Sequence, residues 1–374
     1  MKKAVIVPDS FKGTVSSERI CEIFEEKINK IHPDCEVVKI PVADGGEGSV
    51  NCFLNALGGE KIFVEVSGPY GEKSEAFYAV INGDTAVIEM AACAGLPLVE
   101  GRKNPMCTTT FGVGEMMLDA AKRGCEKIIM CLGGSCTNDL GAGAAAAVGI
   151  KFYNAKGEAF VPTGGTLCEI ERIDTSSKNE ILSDVKITAM CDIDNPLYGK
   201  SGAAYVFAPQ KGADEIQVKL LDDGLRHTAE ILKRDLSADV AELPGGGAAG
   251  GMGAGMAAFF GARLKSGIET VLDTVNFSEK ITGADVIFTG EGKLDSQSLR
   301  GKVVSGVAKR AGEKGVPVIA VVGGYEAQLQ EIYDMGVKAV FATNPLPLDF
   351  EKVRHKSEEN LAATVENILR AFFS

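Results

Sequence analysis

The sequence predicts a two-domain α/β protein: a Rossmann-like parallel-sheet domain built from both termini, with a mixed-sheet α/β domain inserted between them. Three observations carry this expectation. Near-continuous apolar runs alternate with helical stretches at each end of the chain, the pattern of βαβ units. Between about residues 61 and 90, strand-like runs follow one another with only turn signals between them, a local antiparallel region. The chain has 374 residues, 45% of them hydrophobic, which is more than one compact core usually holds. The expected boundaries are 1–60 with 270–374 for the Rossmann-like domain and 61–269 for the insert.

Lys3 to Val7 is an apolar run of the kind buried on both faces of a sheet, and it ends in Pro8-Asp9-Ser10-Phe11-Lys12-Gly13. A helix follows from about Ser16 to Lys30, with Ser16 or Ser17 able to cap it. A second strand, Cys35 to Ile40, leads through Asp44-Gly45-Gly46-Glu47-Gly48 into a helix ending near Leu57. Lys61–Val66, Glu75–Ile81 and Asp84–Met90 read as strands. A helix over about 112–122 and a strand over Lys127–Leu132 then deliver Gly133-Gly134-Ser135-Cys136-Thr137-Asn138-Asp139 and an alanine-rich helix. Lys186–Met190 is another apolar strand, ending in Cys191-Asp192-Ile193-Asp194. A helix is expected over 215–234, then a glycine-dense segment from Pro244 to Gly255. Strands at Asp285–Phe288, Val316–Val321 and Lys338–Phe341 restore the β-α alternation, and a helix spans about 358–372.

Composition removes several function classes. Thirty-nine Lys and Arg against 51 Asp and Glu give a net charge of −12, and no basic run offers a footprint for nucleic acid or an anionic membrane. The apolar run at the N-terminus stops at Pro8, too short for a secretory signal, and nothing approaches spanning length; a cytoplasmic location is expected. Ten cysteines without a C-x-x-C pair fit reduced structural thiols, not zinc or a disulfide framework. The three histidines, His32, His227 and His355, sit in polar contexts and are expected at the surface. A Ser-His-Asp triad or His-rich metal centre is thereby excluded, and acid/base work falls to carboxylates and lysines. The residues set no oligomeric state.

Five apolar strands end in loops that carry carboxylates or glycine-framed hydroxyls, and open α/β sheets bind ligands at such strand ends. Gly133–Gly143 places Ser135, Thr137 and Asn138 among glycines before a helix start, where free N–H groups form an anion site. Asp44 and Glu47 have capping-box spacing, but Gly45, Gly46 and Gly48 around them suit close approach to a ligand. Lys12 is a candidate clamp for phosphate or carboxylate. Asp192 and Asp194 are suited to Mg²⁺ or to taking a hydroxyl proton. The stretch Val286–Lys302 breaks at Gly290 and Gly292 and presents Glu291, Lys293, Asp295, Ser296, Gln297 and Ser298. Anion loops, acids and few histidines suit phosphoryl transfer, which depends on positioning and charge neutralisation. The rival reading is an NAD(P)-dependent dehydrogenase of a small hydroxy acid. It rests on G-x-G-x-x-A at Gly141–Ala146 and G-x-G-x-x-G at Gly245–Gly250, weak matches in a chain with 45 glycines. A Walker-type P-loop is absent, since Gly301-Lys302 lacks the upstream glycine and precedes Val303.

Taken together, PDSFKG (Pro8–Gly13), ADGGEG (Ala43–Gly48), GGSCTND (Gly133–Asp139), Asp192 with PLYGKSGAA (Pro196–Ala204), FAPQKGA (Phe207–Ala213), GAAGGMGAG (Gly247–Gly255) and GEGKLDSQSLRGK (Gly290–Lys302) closely resemble the class I glycerate kinase family. Cys136 stands where the family usually has alanine, and Leu140 where it has glycine. The resemblance implies ATP-dependent, Mg²⁺-assisted phosphorylation of D-glycerate in an inter-domain cleft, with 2-phosphoglycerate favoured and 3-phosphoglycerate possible. The residues themselves supply the roles: Asp192, then Asp295, is the expected proton acceptor, with Lys12 assisting, and others among Asp44, Glu47 and Glu291 are expected to hold Mg²⁺. Asp9, Ser10, Gly13, Gly45, Gly46, Gly133, Gly134, Ser135, Thr137, Asn138, Gly290, Gly292 and Gln297 are expected to bind phosphate or substrate.

Overall fold

A computed structural model describes residues 1–11, 13–42, 48–295, 302–326, 330–344 and 350–373. The chain divides into two compact units, one of residues 1–44, 51–58 and 266–374, the other of residues 45–50 and 59–265. They are called here the terminal and the inserted unit.

The terminal unit holds a five-stranded sheet in the order Val337–Ala342, Val318–Val322, Val286–Gly290, Lys3–Pro8, Glu36–Lys39, with every pairing parallel. The apolar runs at Lys3–Pro8 and Val286–Gly290 are central because they bury both faces. Their register sets Pro8 beside Gly290, so the two loops that follow leave the sheet side by side. Helices cover the sheet. Ser16 caps Ser17–Ile31 by accepting from the Arg19 amide, and this helix packs on Ser357–Phe372. Phe24 of this helix meets Phe288 of the sheet in the core, ring centroids 5.0 Å apart, each burial worth roughly 1.5–3 kcal/mol.

The inserted unit is built on a six-stranded mixed sheet in the order Arg263–Lys265, Lys186–Met190, Lys127–Cys131, Thr85–Glu89, Lys73–Ile81, Glu60–Ser67. The last two pairings are antiparallel, as the short turns at 68–72 and 82–84 require, and the others are parallel. Glu89, Cys131 and Met190 are register partners, so the loops after three neighbouring strands leave from one edge. A small antiparallel sheet, Lys151–Tyr153 between Ala159–Phe160 and Arg172–Asp174, was not expected. Its strands are two or three residues long, too short to show a period of two. Among the described residues no helix is long and apolar enough to cross a membrane, and all ten cysteines are free. His355 is exposed, whereas His32 and His227 are half-buried. His227 was expected at the surface but turns its Nε2 to the Ile170 carbonyl, 2.8 Å away.

Candidate functional site

The Gly133–Asp139 loop of the inserted unit begins two residues after the Lys127–Cys131 strand. An antiparallel bridge to Gly95 ties it down: Leu96 N–H donates to the Gly134 carbonyl at 2.9 Å and Cys136 N–H to the Ala94 carbonyl at 2.9 Å. Gly134 adopts φ +77°, which glycine reaches without strain. Thr108 Oγ1 donates to the Cys136 carbonyl at 3.0 Å. The Cys136 thiol is pushed up to about 12 by burial, so it stays protonated and is no nucleophile.

Asp139 is the anchor of this loop. Wholly buried, its Oδ2 accepts from Thr110 N–H at 2.7 Å, Thr110 Oγ1 at 2.8 Å and Gly143 N–H at 3.3 Å. Its Oδ1 accepts from Gly141 N–H at 3.2 Å. Burial pushes this carboxyl up from its usual range, and the Thr110 amide and hydroxyl and the glycine amides pull it back down. The helix-start amides expected to meet a ligand therefore face a carboxylate of the protein itself. The amides of Gly133, Gly134 and Ser135, one turn earlier, donate to no acceptor among the described residues. They form a run of backbone donors of the kind that can meet an anion. Thr137 and Asn138 are fully buried, and neither the Thr137 hydroxyl nor the Asn138 amide finds a partner among the described residues.

Glycines let a second segment close over this loop. Ala249, Gly250 and Gly251 take left-handed angles in succession. A Cβ on Gly250 would lie 2.1 Å from the Thr137 carbonyl oxygen, and one on Gly255 2.0 Å from that of Leu140. The glycine-dense stretch is thus a packing surface against the 137–140 backbone, joined to it where Leu140 N–H donates to the Gly250 carbonyl at 3.1 Å.

Two residues of this unit escaped the sequence reading. Lys211, only 2% exposed, donates to Ser135 Oγ at 2.9 Å and to the Thr137 carbonyl at 2.7 Å. Its signal was the FAPQKGA segment, but a lysine in a Pro-Gln-Lys-Gly turn reads as solvent-facing. Glu89, 4% exposed, ends an otherwise apolar strand and accepts from Val50 N–H at 2.7 Å; a carboxylate closing the run TAVIE was the available sign. Asp192 follows the neighbouring strand and is exposed.

In the terminal unit the paired strand ends bring Asp9 and Ser10 beside Gly290 and Glu291. Asp9 N–H donates to the Gly290 carbonyl at 2.8 Å, and Asp9 Oδ1 accepts from Ser10 N–H at 2.7 Å. Asp9 and Glu291 are 8% and 5% exposed. Gly290 has a packing reason to be glycine: a Cβ there would sit 1.9 Å from the Val321 carbonyl oxygen of the adjacent strand. Gly13 takes φ +79° with open space around it, while Gly292 and Asp295 are half-buried. Lys12, Asp44, Gly45, Gly46, Glu47 and Gln297 lie outside the described residues. Among the described residues no group of three His, Cys, Asp or Glu side chains could hold a metal ion.

The dinucleotide reading does not survive. Gly141–Ala146 begins ten residues beyond its strand and runs into a short helix, and Gly245–Gly250 follows a turn, not a strand. Neither forms the strand–glycine–helix corner that cradles a pyrophosphate. Comparison with known proteins points elsewhere. Residues 4–373 match the model of the glycerate kinase family. A glycerate kinase of Bacillus cereus is 46% identical over 368 residues, 98% of this chain and 97% of the relative. A glycerate 2-kinase of Escherichia coli K12 is 44% identical, covering 91% of this chain and 90% of its own. A crystal structure from Salmonella typhimurium LT2, provisionally named glycerate kinase 2, superposes with a TM-score of 0.88 at 40% identity, covering 99% and 97% of the two chains. With agreement along nearly its whole length, the protein is a kinase and belongs to the glycerate kinase family.

Proposed function

We propose that this kinase transfers the γ-phosphoryl group of ATP to D-glycerate, forming 2-phosphoglycerate. The observation that carries the reading is the Gly133–Asp139 loop, whose first three amides engage no acceptor among the described residues at the carboxyl end of a parallel strand. Such a loop suits the oxygens of a phosphate or carboxylate. Gly133, Gly134, Ser135, Thr137 and Asn138 in the inserted unit, and Asp9, Ser10, Gly13, Gly290, Gly292 and Gln297 in the terminal unit, are the proposed binding positions, together with Gly45 and Gly46. The two compact units support a two-domain enzyme with boundaries near 60 and 270.

Asp192 is the proposed general base, with Asp295 the second choice. As the glycerate hydroxyl oxygen bonds to phosphorus, its proton passes to the carboxylate and the β–γ bridging oxygen leaves with ADP. A positioned base contributes about 10²–10⁴ in rate. Lys12 is proposed to offset charge on the transferring group. Mg²⁺ keeps water and phosphate oxygens in its shell and needs only one or two protein carboxylates. The buried Glu291 at a strand end fits such a ligand, with Asp44 and Glu47 as the other proposed donors; bound there, the ion would neutralise charge on the β- and γ-phosphates. The test is the ³¹P spectrum of the product formed from ATP and D-glycerate, with and without EDTA. A resonance coupled to the C2 proton and lost on chelation is expected. ADP formation that does not depend on glycerate would remove the reading.

A further inference from the structure

Lys211 is buried without a contacting counter-charge. Its ammonium meets two neutral acceptors, Ser135 Oγ and the Thr137 carbonyl, and forms no ion pair among the described residues. The charged or titratable groups that face it are Cys136 and Asp139. The thiol is protonated, and the Asp139 carboxylate is turned to Thr110, Gly141 and Gly143. An ammonium has three hydrogens to donate, so one is left over. Ser135 is directed by the same contact: its oxygen receives a hydrogen from Lys211, leaving its own hydrogen to donate, and no acceptor for it exists among the described residues. Isolated buried charge is costly, and burial brings the lysine down to about 8.

We propose that Lys211 is a positioning residue for an oxyanion subsite: it holds the Ser135 hydroxyl as a donor and sets a positive charge behind the Gly133–Ser135 amides. The ligand is a carboxylate or phosphate oxygen, since such an anion accepts from the Ser135 hydroxyl and the three amides together and balances the charge behind them. The proposal rests on the kinase reading above. Two anions of that reaction qualify, the carboxylate of the three-carbon acid and a phosphate of the nucleotide, and their separate KM values tell them apart.

The experiment compares steady-state kinetics of the full chain from about pH 6.5 to about 9.5 for wild type, Lys211→Met, Lys211→Arg, Ser135→Ala and the double variant Lys211→Met with Ser135→Ala. Losing a hydrogen bond to a charged group costs about tenfold to a hundredfold in binding. Lys211→Met is expected to raise KM for one anion by about that much at pH 7, leaving the other within about twofold. Ser135→Ala raises the same KM, and the double variant is no worse than Lys211→Met alone. Wild-type KM for that anion climbs above about pH 8 as the ammonium loses its proton, and Lys211→Arg, charged throughout, restores binding without the climb. Lys211→Met with both KM values unchanged, or a flat wild-type profile alongside an unaffected Ser135→Ala, overturns the proposal. Should Lys211→Met fail to fold, the wild-type profile and Ser135→Ala decide alone. Wild type that turns over glycerate while these variants bind normally removes only Lys211; wild type with no glycerate-dependent turnover removes the substrate reading and this proposal with it.

Discussion

Replacing Asp139 with alanine tests whether its carboxylate is what shapes the candidate anion loop. The perturbation removes the acceptor for four donors: the Thr110 amide at 2.7 Å, its hydroxyl at 2.8 Å, and the Gly141 and Gly143 amides at 3.2 and 3.3 Å. The hydroxyl can rotate, but three buried amides are stranded. Each stranded donor costs roughly 1–3 kcal/mol, and the two glycine contacts are long, which puts the gross loss at about 4–5 kcal/mol. Against this, the wild-type carboxylate is itself held out of water, and removing it recovers about 1 kcal/mol. The expected net destabilisation is therefore about 3–4 kcal/mol. Asparagine retains one carbonyl oxygen for Thr110 and Gly143 but turns an NH₂ towards the Gly141 amide, so Asp139→Asn is expected to cost only about 1–2 kcal/mol. Urea unfolding followed by far-ultraviolet circular dichroism gives both values, the chain having no tryptophan. A loss below about 1 kcal/mol for alanine, or asparagine less stable than alanine, would refute the assignment of Asp139 as the loop's anchor.

Two other substitutions separate chemistry from packing. Asp192→Asn, at an exposed position, is expected to lower kcat by about 10²-fold or more while leaving the melting temperature in place; unchanged turnover removes Asp192 as the base. Gly290→Ala drives a Cβ to 1.9 Å from the Val321 carbonyl oxygen between two central parallel strands. It is expected to destabilise the terminal unit by about 3 kcal/mol or more, read as an earlier thermal transition; wild-type stability with only KM altered would refute the packing role and leave only the proposed ligand contact.

Much of the fold was legible along the chain. Lys3–Val7 reads as a doubly buried strand and Asp285–Phe288 as a strand because continuous apolar character is a local property, and both are central in the terminal sheet. The change to an antiparallel region after Gly59 was legible too, since hairpins announce themselves by short turns. The family was legible because its loops are contiguous words. The two- and three-residue strands around Phe152 were not, having no room for a period. The matches at Gly141 and Gly245 were weak from the start, since neither sits directly between a strand end and a helix, and the structure agrees.

What the sequence determined by itself is the conformation of the longer segments, through side-chain periodicity, caps and turn residues, and with it the kinase family. Only the tertiary structure decided that Lys211 is buried against Ser135, that Asp139 satisfies the helix-start amides in place of a ligand, and that Gly250 and Gly255 exist to let backbone meet backbone. Lys211 and Ser135 lie 76 positions apart, and Gly250 and Gly255 answer to the distant carbonyls of Thr137 and Leu140. Asp139 ties the helix start beside it to Thr110, 29 positions back. Burial, charge compensation and steric clearance belong to pairs of segments brought into contact, and a pattern read within one segment holds no term for them.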